Sequence, residues 1–223
     1  MLNFPKETCL NKMIAKTKFY ERANVSSALK NSFVNDIEKI TWINKLSSQT
    51  LNVESGEISE IEVFHIKLKV KNFNNKIIET IDKSIPYYIL YVLEYEGLYQ
   101  LCIGYKEKNS ADSKNKASIL RYFSSKWMPE PIIKVQGNKL DTIYENFITQ
   151  LSDNQINISD DADLKSEVKK SIEISDLDKE IDNLKKQMKR AKQYDEQIRL
   201  NRKIKELQKQ KGVINGKNEN GNK

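Results

Sequence analysis

Residues 85–108 read "IPYYILYVLEYEGLYQLCIGYKEK". Two runs dense in aliphatic and aromatic residues, Tyr87–Tyr95 and Leu98–Lys106, flank Glu96–Gly97. Glycine supplies the positive φ that a tight turn needs, so the stretch predicts a β-hairpin. Strands this apolar suit the centre of a sheet covered on both faces. A layered body with helices against a sheet follows.

The neighbouring segments supply the layers. "ISEIEVFHIKLKVKN" predicts a strand over Ile58–Lys71, and "IEKITWINKL" alternates as a second strand. In the latter, Ile37, Lys39, Thr41 and Ile43 are expected on one face and Ile40, Trp42 and Asn44 on the other. Ser26 or Ser27 can cap a short helix through Asn35, and Ile77, Ile78 and Ile81 form a stripe on a helix over Asn75–Lys83. "ILRYFSSKWM" (119–128) is a further strand. Leu140, Ile143, Tyr144, Phe147 and Leu151 mark an amphipathic helix in "KLDTIYENFITQL". The expected fold class is α+β: a mixed or antiparallel sheet with a β-hairpin and flanking helices, followed by a long C-terminal coiled-coil-like helix.

Four segments are expected: a body over 1–151, an acidic linker over 152–172, a basic amphipathic helix over 173–211 and a disordered tail over 212–223. In the helical segment Ile174, Leu177, Ile181, Leu184, Met188 and Ala191 follow steps of three and four, as in a coiled coil. Beyond Ala191 the pattern slips phase and continues through Tyr194, Ile198, Leu200, Ile204 and Leu207. No Gly or Pro lies between Glu173 and Lys211, which predicts one continuous helix roughly 55 Å long. Its stripe (Ile174, Leu177, Ile181, Leu184, Met188, Ala191, Ile198, Ile204 and Leu207) must be buried against a second copy, the body or a partner protein, because a lone helix gains little from propensity.

Charge concentrates in the same segment. The chain carries a net +7, yet residues 1–177 hold 24 Lys/Arg against 24 Asp/Glu. Residues 178–211 hold 12 against 6, and the last twelve residues add one positive charge. Such asymmetry points to an acidic partner. The candidate nucleic-acid-binding residues are Lys185, Lys186, Lys189, Arg190, Lys192, Arg199, Arg202 and Lys203, the cations opposite the stripe; the other reading is a solvated helix surface. His65, Lys67, Lys69 and Lys71 form a second basic row, readable as a phosphate-tracking face or as the wet side of an edge strand. Tyr87, Tyr88, Tyr91, Tyr95, Tyr99 and Tyr105 can stack on bases or pack a sheet, and Trp127 beside Lys126 and Arg121 is a further surface candidate.

Catalytic signatures are scarce. One histidine and two distant cysteines, Cys9 and Cys102, make no zinc spacing, and the seven glycines make no phosphate loop. No catalytic residue, metal ligand or cofactor is assigned. A magnesium nuclease needs an acid and an acid-x-Lys triplet on adjacent strands. "DSK" (112–114) and "DLK" (163–165) fit the triplet but sit in apparent loops, and Glu60, Glu62 and Asp82 are scattered acids. The cysteine usage, the lack of a basic-then-apolar leader and the absence of a long apolar run together predict a cytoplasmic protein without a membrane span.

The blocks "FVNDIEKITWINKLSSQTLNV", "EIEVFHIKLK", "IDKSIPYYILYVLEYEG" and "WMPE", followed by a charged helix with "RLNRKIKEL", resemble domain-of-unknown-function family 4391 over about Phe4–Lys211. The resemblance implies a bacterial or archaeal protein with no assigned activity or functional residues. Members are often encoded near helicases and DNA methyltransferases of restriction or phage-defence type. The expectation is therefore a non-catalytic accessory subunit of a DNA-processing or defence complex. It would bind a helicase or methyltransferase, and DNA or RNA, through the C-terminal helix. The alternatives are a metal-dependent nuclease or other enzyme with an unrecognised site, and a homo-oligomerising protein without nucleic-acid contact.

Overall fold

A computed structural model describes residues 2–21, 25–108, 117–152, 156 and 164–216. The chain forms two compact units, Met1–Asn154 and Gln155–Lys223.

The first unit is built on a sheet of six strands whose spatial order is their chain order. Strand β1 (Cys9–Ile14) is followed by a single helical turn, α1 (Thr17–Tyr20), and by α2 (Ser27–Asp36). The Ser26 hydroxyl accepts from the Leu29 amide and caps α2, as a serine ahead of an apolar helical run should. Then come β2 (Ile37–Ser47), the turn α3 (Ser48–Leu51), β3 (Glu60–Leu68) and α4 (Lys76–Ser84). The hairpin strands β4 (Tyr88–Tyr95) and β5 (Leu98–Lys108), then β6 (Ala117–Ser124) and α5 (Leu140–Leu151), complete the unit. All neighbouring strands pair antiparallel except β3 and β4, which run parallel. A parallel pair needs a crossover connection, and α4 provides it.

Glu96 and Gly97 both have positive φ, 48° and 76°, the backbone of a two-residue turn that matches strand twist. In β4, Ile89, Tyr91 and Leu93 share a cluster with Phe33 of α2 and with Ile77, Ile78 and Ile81 of α4. Leu90 and Val92 are buried outside that cluster, while α5 packs against β3, β5 and β6. Helices therefore cover both faces of the hairpin strands, which is why neither strand alternates in sequence.

Three expectations about the sheet need correction. The clean alternation of β2 fails: its buried positions are Ile37, Ile40, Ile43 and Leu46. Register shifts between Ile37 and Lys39 and between Trp42 and Asn44 insert extra residues, so the faces exchange along the strand. The strand expected over Ile58–Lys71 spans only Glu60–Leu68. It is also interior, between β2 and β4, so Lys67 does not guard an edge, and Lys69 and Lys71 lie past the strand's end. Strand β1, with exposed Cys9 and Met13, has too little apolar pattern to be read in advance.

In the second unit the expected continuous helix is two: α6 (Leu164–Arg190) and α7 (Tyr194–Ile214), joined through Ala191–Gln193. α6 begins inside the stretch read as linker, and α7 runs past Lys211 into the stretch read as tail; residues 153–155, 157–163 and 217–223 lie outside the described ones. Ile181 and Leu184 of α6 pack on Leu200, Ile204 and Leu207 of α7, with Leu177, Met188 and Ala191 beside them. Glu180–Lys203 at 3.0 Å and Asp178–Lys211 at 2.6 Å bridge the antiparallel pair. The phase slip at Ala191 marks the reversal: each half keeps its own stripe, and the two stripes face each other.

Replacing Gly97 by Ala adds a Cβ that meets no neighbour, so only the backbone conformation resists it. Gly97→Ala is expected to lose about 1 kcal/mol in urea unfolding with an unchanged denaturant slope. A neutral effect would mean that the turn relaxes to another type.

Candidate nucleic-acid interface and buried polar sites

The connection between α6 and α7 has a local cause in charge and capping. Lys189 and Arg190 lie in the last turn of α6, and Asp195 and Glu196 in the first turn of α7. Each sign sits at the helix end whose dipole it complements. The Gln197 side-chain Nε2 donates to the Ala191 carbonyl at 2.8 Å and satisfies one freed acceptor. Basic-then-acidic order in "KRAKQYDEQ" was thus a readable stop-and-start signal, hidden because it lacked Gly or Pro.

All eight candidate cations (Lys185, Lys186, Lys189, Arg190, Lys192, Arg199, Arg202 and Lys203) are exposed and fall within residues 185–203, around this reversal. That stretch holds eight Lys/Arg against two Asp/Glu, so the whole surplus of residues 178–211 lies at the tip of the helical hairpin. Lys203 bridges to Glu180, and Lys185 stands 4.0 Å from Asp182. Tyr194, at the tip, is 75% exposed. Of the expected partner stripe, Ile181, Leu184, Ile204 and Leu207 are buried within the hairpin, Leu177, Met188 and Ala191 flank them, and Ile174 is half-buried. Ile198 is exposed, and the buried position on that turn is Leu200.

The second basic row is largely occupied. His65 Nε2 lies 2.7 Å from Glu94, and Lys67 pairs with Glu38 at 3.0 Å. Lys69 donates to the Val34 carbonyl, and Lys71 lies over the Trp127 ring at 5.7 Å. Among the six tyrosines, Tyr91 and Tyr105 are buried in the first unit.

The scattered acids do not converge. Among the described residues no group of three His, Cys, Asp or Glu is placed to hold a metal. The triplets at 112–114 and 163–165 fall wholly or partly outside the described residues. Asp82 is fully buried on α4, 3.0 Å from Lys106 Nζ, and accepts the Tyr122 hydroxyl at 2.7 Å. Lys106 also donates to the Tyr87 carbonyl at 2.5 Å. Burial raises the Asp82 carboxyl above its ordinary range, against the pull of Lys106 and Tyr122. It also pushes the nearby Cys102 thiol up to about 12, which leaves an unreactive thiol.

Glu62 is different. It lies on β3 beside Glu60, which pairs with Lys45 at 2.6 Å. Glu62 itself is 3% exposed, and its Oε2 has no hydrogen-bond partner. It lines a cavity of about 750 Å³ between the sheet, β1, α1 and the end of α4. Burial pushes its carboxyl up to about 7, with Trp42 pulling in the opposite direction. By sequence Glu62 is one of several scattered acids, and nothing in the local pattern separates it from Glu60. Alternation along β3 puts both on one face, and only the tertiary contacts give one a lysine and the other a cavity.

A family model described as "Domain of unknown function (DUF4391)" matches residues 2–210. No curated protein and no solved structure matches the chain. Among the described residues no helix is long and apolar enough to cross a membrane.

Two outcomes test these sites. Asp82→Asn leaves Lys106 buried without its counter-ion and is expected to lose about 3–5 kcal/mol in urea unfolding, whereas Asp82→Leu with Lys106→Met loses much less. Folding raises the Glu62 carboxyl above 4.5, so the cost of its ionised form is absent below that pH and grows as pH rises toward 7. Relative to wild type, Glu62→Gln should therefore be near neutral at about pH 4 and more stable by on the order of 1–2 kcal/mol at about pH 8, after allowing for screening by water in the cavity.

Proposed function

The chain belongs to the DUF4391 family, and from that premise we propose that it is a non-catalytic accessory subunit of a DNA-processing or defence complex. In this reading the α+β unit is the docking body, and the tip of the helical hairpin meets the phosphate backbone of nucleic acid. The observation that carries it is the placement of the positive surplus. Eight exposed cations gather on 19 consecutive residues at one reversal, while residues 1–177 are electrically balanced. Cations grouped in this way neutralise phosphates without reading sequence, and an exposed tyrosine beside them adds a stacking surface for unpaired bases.

The hairpin also bears on the alternative of pure oligomerisation. Most of the stripe that would have needed a second copy is covered within the chain, which speaks against a homotypic coiled coil. For a nuclease, the described acids offer no convergent set, with Asp82 engaged by Lys106 and Glu60 by Lys45. A helicase or methyltransferase encoded nearby is the partner class that the family's gene neighbourhoods favour.

Fluorescence anisotropy with a duplex and a single-stranded oligonucleotide, titrated against salt, tests the proposal. Wild-type protein should bind both with a steep salt dependence. Changing Lys189, Arg190 and Lys192 together to Ala should weaken binding to both and lower the slope of log affinity against log salt by about 2–3. An unchanged slope overturns the role of the tip. Oligonucleotides that stay intact with magnesium, and co-purification of a helicase or methyltransferase from the native host, are the expected companions.

A further inference from the structure

The cavity in the first unit has the chemistry of a ligand site that the hairpin does not explain. Its walls are apolar and aromatic: Ile14, Phe19, Val25, Trp42, Phe64 and Ile85. Trp42 and Phe64 meet edge to face, with ring centroids 6.5 Å apart at 63°, and form one rigid aromatic wall that a flat ring can pack against. At about 750 Å³ the space suits one small molecule of nucleotide size. The one acid lining it is Glu62, which presents a buried carboxyl oxygen with no partner. A buried acceptor left without a donor costs free energy, so an incoming N–H donor would recover what folding left unmet.

The remaining charges on the lining select the rest of the ligand. Lys18 of α1 and Lys83 of α4 both contribute to the lining and are exposed. They disfavour a simple organic cation, which Glu62 and the aromatic rings would otherwise attract. They favour a molecule with a flat N–H-bearing ring at one end and an anion at the other. The geometry points to a binding site for a free purine nucleoside monophosphate, its base against the aromatic wall at Trp42 with an N–H edge on Glu62 and its phosphate at Lys18 and Lys83. A carboxylate accepts only, so guanine, with adjacent N1–H and N2–H donors, fits it better than adenine.

The groups around Glu62 shape its pH response. Glu60 on the same strand raises the carboxyl and Lys45 on β2 lowers it, both less than burial does. Lys18, Lys83 and Tyr87 also line the cavity. The accepting, ionised form therefore grows as pH rises through about 7, and affinity for a base that donates N–H groups grows with it.

Isothermal titration of the full chain with GMP, AMP, guanosine and tyramine tests the site. GMP should bind and quench tryptophan fluorescence, AMP about tenfold or more weakly, with GMP affinity rising from pH 6 to pH 8. Glu62→Gln should lose tenfold or more for GMP and flatten the pH profile while keeping or raising the thermal midpoint. Lys18→Ala with Lys83→Ala should weaken GMP about tenfold and leave guanosine unchanged. Binding of neither GMP nor AMP, tyramine binding as tightly as GMP, or GMP affinity indifferent to Glu62→Gln overturns the assignment. The Lys189, Arg190 and Lys192 substitution should leave GMP binding intact, so failure here is separate from failure of the hairpin reading.

Discussion

The buried pair of Asp82 and Lys106 fixes the geometry on which the first unit depends. The parallel pairing of β3 with β4 requires a crossover, and α4 must then lie over the sheet in one position. Apolar contacts from Ile77, Ile78 and Ile81 hold the helix down but tolerate sliding. An ion pair at 3.0 Å, joined by the Tyr122 hydroxyl, does not, because any displacement leaves a charge buried and unmatched. The Lys106 backbone is pinned from the opposite face, where its amide donates to the Tyr144 hydroxyl at 3.0 Å. That hydroxyl in turn donates to the Gly104 carbonyl at 2.8 Å, beside the bulge between Tyr105 and Lys106. One lysine therefore couples the crossover helix, the sheet and the helix behind it.

The position of α4 has a consequence for the cavity. Thr80, Lys83 and Ser84 form part of its lining, and Ile85, Pro86 and Tyr87 continue it into β4. The same helix thus carries Asp82 into the packed interior and, one residue on, Lys83 to the accessible side. Two carboxylates of the first unit end in opposite situations. Asp82 has a counter-ion and a hydroxyl, while Glu62 has an empty acceptor. The first serves structure, and the second lines the cavity with an oxygen that no hydrogen bond satisfies.

Much of the body was legible because local patterns were strong. The Glu96–Gly97 turn, the caps at Ser26 and the stripes of α4 and α5 follow from rules that act within a few residues. Misreadings arose where distant partners decide. The faces of β2 exchange at bulges that depend on its pairing with β3. His65 and Lys67 of β3 fall in a basic row by sequence, yet Glu94 and Glu38 come from the strands on either side to meet them. The end of α6 was written in charge order alone, and continuous helical periodicity outweighed it.

For this chain, the order of residues determined most of the helices and strands of the first unit, where the tight turn falls and where the positive charge accumulates. These properties arise from neighbours along the backbone, so they survive without knowledge of the fold. Tertiary structure decided that the long amphipathic segment covers its own stripe and carries its cations to a tip. It also decided that, of three scattered acids, one is paired with a buried lysine, one with a half-buried lysine, and one faces a cavity. Burial and pairing across tens of residues set those outcomes, and the local charge order at the reversal marks only where the chain turns.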